Sequence, residues 1–173
     1  MTLSLIAKEI KESATLMINE KAAILREKGE PIIHLGGGEP KSKAPISAIL
    51  AASSVINSGE VRYAPADGTP DLKQAIIRYT EDYYKIKVAP ENVIASSGAK
   101  QAIMVALLAI LNPQEEVMFP APYWVSYSEM VKMCNAIPVP VLPEDGSFQP
   151  RIEDFERRYT SYTKAVIINS PNN

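Results

Sequence analysis

Apolar positions change their spacing part-way along the chain, and the change separates two sets of predicted elements. Between Leu3 and Lys28 the apolar positions are Leu5, Ile6 and Ile10, then Leu16, Met17, Ala22, Ala23, Ile24 and Leu25. The second half of this stretch reads as a helix with Gly29 as its stop signal. A short extended run from Pro31 to Leu35 leads into Gly36-Gly37-Gly38-Glu39-Pro40, whose three glycines and X-Pro step mark a loop. Ile46 to Ser58 reads as a second helix ended by Gly59, and Asp71 to Tyr84 as a third, with Leu72, Ala75, Ile76 and Tyr79 on one face. The loop Arg62 to Pro70 lies between them.

From Val93 onward, short apolar runs alternate with helical stretches. The predicted order is strand Val93–Ala95, helix Lys100–Leu111, strand Glu116–Phe119, helix Val125–Met133, strand Ile137–Leu142, helix Ile152–Tyr159 and a last buried strand, Ala165–Asn169. That alternation implies an α/β fold, a mostly parallel sheet covered on both faces in three layers. Pro138, Pro140 and Pro143 consign their strand to an edge or a short piece.

In open α/β sheets ligands gather at the carboxyl ends of strands, and three loops leave such ends here. Ser96-Ser97-Gly98-Ala99-Lys100-Gln101 runs from a strand into a helix. Small residues there let backbone N–H groups approach an anion, aided by the helix dipole, although a Ser-Gly turn is also an ordinary cap. Pro120-Ala121-Pro122-Tyr123-Trp124 puts the only Trp of the chain in a Pro-fixed loop, as a stacking platform for a flat ligand or as a plug for the sheet end. Asn169-Ser170-Pro171-Asn172-Asn173 offers amide donors, or is a plain turn. Together they offer what a phosphorylated aromatic cofactor needs: a phosphate cradle, an aromatic plane and a neutral polar donor.

Composition narrows the classes. The chain has 173 residues, 46% hydrophobic and 22% charged, with a formal net charge of -2. Acidic and basic residues interleave, so there is no nucleic-acid footprint. No apolar run is long enough to cross a bilayer, and residues 1–19 do not form a signal peptide. One Cys and one His make an all-protein zinc site a poor reading, and a lone Cys134 fits a reducing, cytoplasmic setting. His34 and Cys134 read as packing residues. The Gly36–Gly38 loop lacks the G-x-G-x-x-G spacing of a dinucleotide site, and Ser96 and Ser97 lack the Gly-x-Ser-x-Gly of a hydrolase.

Five segments in order carry a family resemblance: Gly37-Gly38-Glu39-Pro40, Arg62-Tyr63-Ala64-Pro65 with Gly68, Gly98-Ala99-Lys100-Gln101-Ala102, Pro122-Tyr123-Trp124-Val125-Ser126-Tyr127 and Asn169-Ser170-Pro171-Asn172-Asn173. The chain resembles the class I aminotransferases among the fold-type-I pyridoxal-phosphate (PLP) enzymes, and its Tyr-Trp-Val-Ser-Tyr segment is most like the bacterial aspartate aminotransferases. The resemblance implies an N-terminal arm and part of a small domain over residues 1–40, and the first, incomplete part of the PLP-binding large domain over 41–173. It implies a homodimer that takes amino acids and 2-oxo acids and converts aspartate and 2-oxoglutarate to oxaloacetate and glutamate. Aromatic, prephenate or alanine transamination and a catalytically dead binding fragment are the alternatives.

By the same resemblance the backbone at Gly98, Ala99 and Lys100 would bind the PLP phosphate, and Trp124 would stack on the pyridine ring and contact substrate. Asn173 would hydrogen-bond the phenolic oxygen and contact substrate. Gly38 would offer its N–H to the substrate α-carboxylate, and Tyr63 would reach the phosphate held by the other subunit. The family's Schiff-base lysine, pyridine-nitrogen aspartate and two anion-binding arginines have no counterpart in these 173 residues. The expectation is therefore the N-terminal portion of an enzyme, inactive by itself, with apolar surface open beside its last strand.

Overall fold

The computed structural model describes residues 2–10, 12–38 and 42–173. Glu39 and Pro40 of the glycine loop, and the predicted boundary between residues 40 and 41, lie outside the described residues. The chain forms two compact units, one of residues 1–37 with 98–173 and one of residues 38–97.

The first unit contains the sheet. Strands β1 (Glu116–Pro120), β2 (Ile137–Val141) and β3 (Thr163–Val166) lie in the order β2-β1-β3, and both pairings are parallel. Parallel neighbours need crossovers. These are α6 (Ser126–Met133) between β1 and β2, and α7 (Ile152–Glu156) between β2 and β3. The central strand is buried on both faces: Val117 and Phe119 are fully buried, and Met118 between them is buried too. Val117 and Phe119 join Leu107 of α5 (Ala99–Ile110) and Tyr127, Met130 and Val131 of α6 in one apolar cluster. The proline-bearing strand lies at the sheet edge, as its sequence implies. Its residues pair with β1 from Glu116↔Ile137 to Pro120↔Val141.

Ahead of the sheet this unit carries α1 (Leu5–Glu9) and α2 (Ala14–Glu27). The sequence pattern gave no α1. Its local signal is Ser4, whose hydroxyl accepts from the Ala7 N–H at 3.2 Å as an N-cap. Gly29 follows α2 with φ +81°, the left-handed conformation that suits a glycine after a helix. After β2, the buried carboxylate of Asp154 accepts from the Arg151 N–H at 2.8 Å and pairs with Arg157, while Arg157 also meets Glu144 at 3.0 Å. This network ties the 143–151 loop to α7.

Two expectations need correction. Val93–Ala95 is not a strand: it is extended and lies in the second unit, after a 3₁₀ turn at Pro90–Asn92. A short apolar run satisfies the strand pattern, but a strand also needs a ladder. Here the Ala95 N–H donates instead to the Asp67 carbonyl at 2.9 Å. The last strand begins at Thr163, earlier than expected, and is not buried throughout. Val166 is 46% and Ile168 66% exposed, because this strand occupies the other sheet edge. A backbone bond from Ile167 N–H to Met118 C=O, 2.8 Å, continues the pairing past Val166.

The second unit holds α3 (Ile46–Ser58) and α4 (Pro70–Tyr84). Gly59, with φ +70°, ends α3. Thr69 caps α4 through the Leu72 N–H, with Pro70 in the first turn. The Gly68 to Ala95 approach is so close that a Cβ on Gly68 would stand 2.7 Å from the Ala95 Cβ. Asp67 beside it is hydrogen-bonded and ion-paired to Lys73. That bond, first, and the lysine charge hold the Asp67 carboxyl below its ordinary value. The folded chain therefore binds this proton less tightly than the unfolded chain does. The pair adds stability above the ordinary Asp range, and its contribution disappears as pH falls through the folded-state value. Asp67→Asn should accordingly lower the melting temperature at neutral pH, with the gap to wild type closing as pH falls below the ordinary Asp range. A gap that stays constant with pH would remove the ion pair from the account.

Candidate active site

The carboxyl ends of β1 and β3 point the same way, and two of the three sequence-marked loops leave them. The Ala121–Pro122 and Ser170–Pro171 peptides are both cis. Asn172 Nδ2 donates to the Pro122 carbonyl at 2.6 Å, and the Asn173 N–H donates to Asn169 Oδ1 at 3.0 Å. The 169–173 loop is thus closed on itself and fastened to the 120–124 loop.

The third loop joins them through Trp124. Lys100, in the first turn of α5, places its ammonium 5.3 Å from the centre of the Trp124 ring, within cation–π range. The indole is half-buried against the core cluster and meets Tyr127 edge-on at 5.4 Å. Phe119 supports the neighbouring Tyr123 through a T-shaped contact at 4.5 Å. The aromatic loop therefore rests on the core and is positioned by it.

Gly98 precedes α5 with φ +85° and ψ 169°, a conformation essentially restricted to glycine. Nothing lies within 4 Å of where its Cβ would be, so backbone is laid bare at the helix start. The first helical bond runs from the Ala102 N–H to the Gly98 carbonyl. The Ala99 and Lys100 N–H groups stand ahead of it, along the axis of the helix dipole.

Gly98, Ala99, Lys100, Trp124 and Asn173 all belong to the first unit, whereas Gly38 and Tyr63 belong to the second. Gly38 and Tyr63 are both exposed. A cavity of about 420 Å³ opens at the carboxyl ends of β1 and β3, lined among others by Phe119, Tyr123, Asn169 and Asn172. Gly98, Trp124 and Asn173 do not line it. Phe148 and Pro150 contribute a further wall. Sequence reading missed them, and their only local signal is the turn chemistry of Asp145-Gly146-Ser147.

His34 is half-buried, and its Nε2 is buried with no hydrogen-bond partner among the described residues. Burial pushes the Cys134 thiol up, away from the reactive thiolate. Among the described residues no three His, Cys, Asp or Glu side chains gather as metal ligands, and no helix is long and apolar enough to cross a membrane.

Residues 30–173 match the model of the family described as aminotransferase class I and II. The chain belongs to that family. It is 41% identical over 168 residues to a probable aspartate/prephenate aminotransferase of Thermus aquaticus, covering 96% of this chain and 44% of that protein. It is 41% identical over 162 residues to an aspartate aminotransferase of Geobacillus stearothermophilus, covering 93% and 41%. The solved aspartate aminotransferase of Thermus thermophilus with maleate superimposes with a TM-score of 0.92 at 37% identity, over all of this chain and 46% of that one. The chain thus spans less than half the length of these class I and II relatives. Their superposition identifies the three-stranded parallel sheet as part of the PLP-transferase fold.

Proposed function

We propose that the full-length polypeptide is a PLP-dependent aminotransferase that converts aspartate and 2-oxoglutarate to oxaloacetate and glutamate. The observation that carries this reading is the joining of three loops at one end of the first unit, through Lys100 on Trp124 and Asn172 on Pro122. The residues fit the cofactor: bare backbone at Gly98 suits a phosphate, the half-buried indole suits a flat ring, and Asn173 suits its phenolic oxygen.

When bound, PLP supplies an electron sink for charge developing at the substrate Cα. The chain's own share is to bind and orient. The Gly98, Ala99 and Lys100 backbone holds the phosphate, Trp124 stacks on the ring, and Asn173 donates to the phenolic oxygen. The Gly38 N–H receives the substrate α-carboxylate. Tyr63 serves the partner's phosphate in a homodimer. Residues 1–40 form an arm and part of a small domain, and 41–173 begin the large domain. The setting is cytoplasmic, in keeping with the lone buried thiol.

A coupled assay of the full-length protein with aspartate and 2-oxoglutarate tests this, with prephenate as an alternative acceptor and the 173-residue chain as the blank. PLP-dependent oxaloacetate formation is expected from the full-length protein alone. An enzyme that ignores aspartate but turns over alanine or aromatic donors would overturn the substrate. Turnover by the 173-residue chain would overturn the assignment of the reactive lysine elsewhere.

A further inference from the structure

The extended run before the glycine loop returns along α2. The Glu30 N–H donates to the Leu25 carbonyl at 3.0 Å where the chain turns back. A cavity of about 190 Å³ between run and helix is lined by Ile18, Ala22, Leu25, Ile32 and His34, among others. The run meets the helix again at Gly36 and Gly37. A Cβ on Gly36 would stand 2.6 Å from Ile18 Cγ2, and one on Gly37 would stand 3.2 Å from Asn19 Oδ1. Neither glycine has a φ in the left-handed region, so backbone conformation does not demand glycine at either position. Space does, most strictly at Gly36.

Ile18 has little freedom to give way. It lies inside α2, where a β-branched side chain holds one strongly preferred χ1 rotamer, and its Cγ2 is borne directly on Cβ. An added methyl at residue 36 therefore displaces the loop backbone. Ile18 Cβ and His34 Nε2 would each be 3.5 Å from the same Cβ position, an ordinary contact distance. The close approach is thus to one methyl group. Gly38 has nothing within 4 Å of its own Cβ position. Its N–H shares a peptide plane with the Gly37 carbonyl, so the direction of that N–H follows from how the preceding glycines are held.

We propose that Ile18, as the floor under Gly36, is a positioning residue that aims the Gly38 N–H at the α-carboxylate of the substrate. This rests on the role given to Gly38 under the proposed function, and it names the side chain that orients it.

The test uses the full-length protein with its cofactor, and maleate, an unreactive dicarboxylate, as the probe. Calorimetric titration gives maleate affinity, aspartate kinetics give KM and kcat, and urea midpoints report folding. Gly36→Ala should weaken maleate binding and raise the aspartate KM by about ten- to a hundredfold, the range for one hydrogen bond to a charged group. The change in kcat should be smaller, and PLP retention should match wild type. Ile18→Ala, which leaves the glycine unsupported, should lose less. The two together should recover most of the affinity, because the new methyl takes the place of the deleted one. Gly36→Ala with Ile18→Val should not recover, because valine keeps Cγ2. Such coupling marks residues in direct contact. Maleate affinity of Gly36→Ala equal to wild type overturns the proposal, as does equal recovery by Ile18→Val and Ile18→Ala. A double variant whose urea midpoint recovers while its maleate affinity does not makes the contact packing alone and also overturns it. Where Gly36→Ala does not fold, the double variant is compared with Ile18→Ala, and binding no tighter than that single variant overturns the proposal. If wild type retains PLP and binds maleate in any of these cases, only the role of Ile18 fails. If wild type does neither, the reading of Gly38 fails and takes this proposal with it.

Discussion

Phe119→Ala should lower the unfolding free energy by about 3–5 kcal/mol, the range for deleting a fully buried aromatic side chain. Phe119 has no exposed surface and sits on the central strand. Its ring touches two loop and helix aromatics, Tyr123 at 4.5 Å and Tyr127 at 6.1 Å. Those partners flank Trp124 in sequence, and Tyr127 also meets Trp124 directly. The substitution should therefore loosen the aromatic loop as well as open a cavity. Phe119→Leu keeps most of the volume and should cost clearly less. Urea midpoints of the full-length proteins, compared at one protein concentration, provide the measurement. A Phe119→Ala midpoint within error of wild type would mean that the loop can collapse into the space and that the core does not position Trp124.

The elements most legible in the sequence are those whose signals are local. Ile46–Ser58 is found within its predicted bounds because Pro45 and Gly59 bracket it, and α4 because Thr69-Pro70-Asp71 is a strong start. The proline-bearing strand is on the edge because proline cannot donate to a ladder. Val93–Ala95 has the apolar pattern of a strand and forms none, because strand character depends on a partner the run itself does not encode. The candidate site divides in the same way. Gly98 opening a helix, and the loop Trp and the Pro-Asn-Asn segment following apolar runs, are legible in the sequence as types of residue. The bonds that join them were not visible: Lys100 meets Trp124 from a different element, and Asn172 reaches Pro122 across 50 positions. The Asn172–Pro122 pairing follows from the parallel sheet placing the ends of β1 and β3 together, and the Lys100–Trp124 contact from α5 and the 120–124 loop packing on one core, which are properties of topology and not of any local window.

Tyr63→Phe in the full-length protein should weaken PLP retention by about 1.5–3 kcal/mol, the range for losing one hydrogen bond to a charged group. That is roughly ten- to a hundredfold in affinity. Tyr63 is fully exposed and lies in the Arg62–Pro65 loop ahead of α4. Removing a hydroxyl from an exposed ring should leave the fold intact, so circular dichroism and melting temperature should match wild type. The loss should appear in equilibrium dialysis of PLP. The proposed route is a contact across a dimer, and it carries its own signature. Cofactor affinity of the wild type should fall on dilution towards monomer, because the hydroxyl departs with the partner, by the mass action that couples ligand binding to assembly. The Phe variant lacks the hydroxyl in either state and should show a smaller dependence on dilution. Equal affinities of the two proteins at all concentrations would assign Tyr63 to packing. A variant that loses affinity but keeps the full dilution dependence would place the phosphate contact within one subunit.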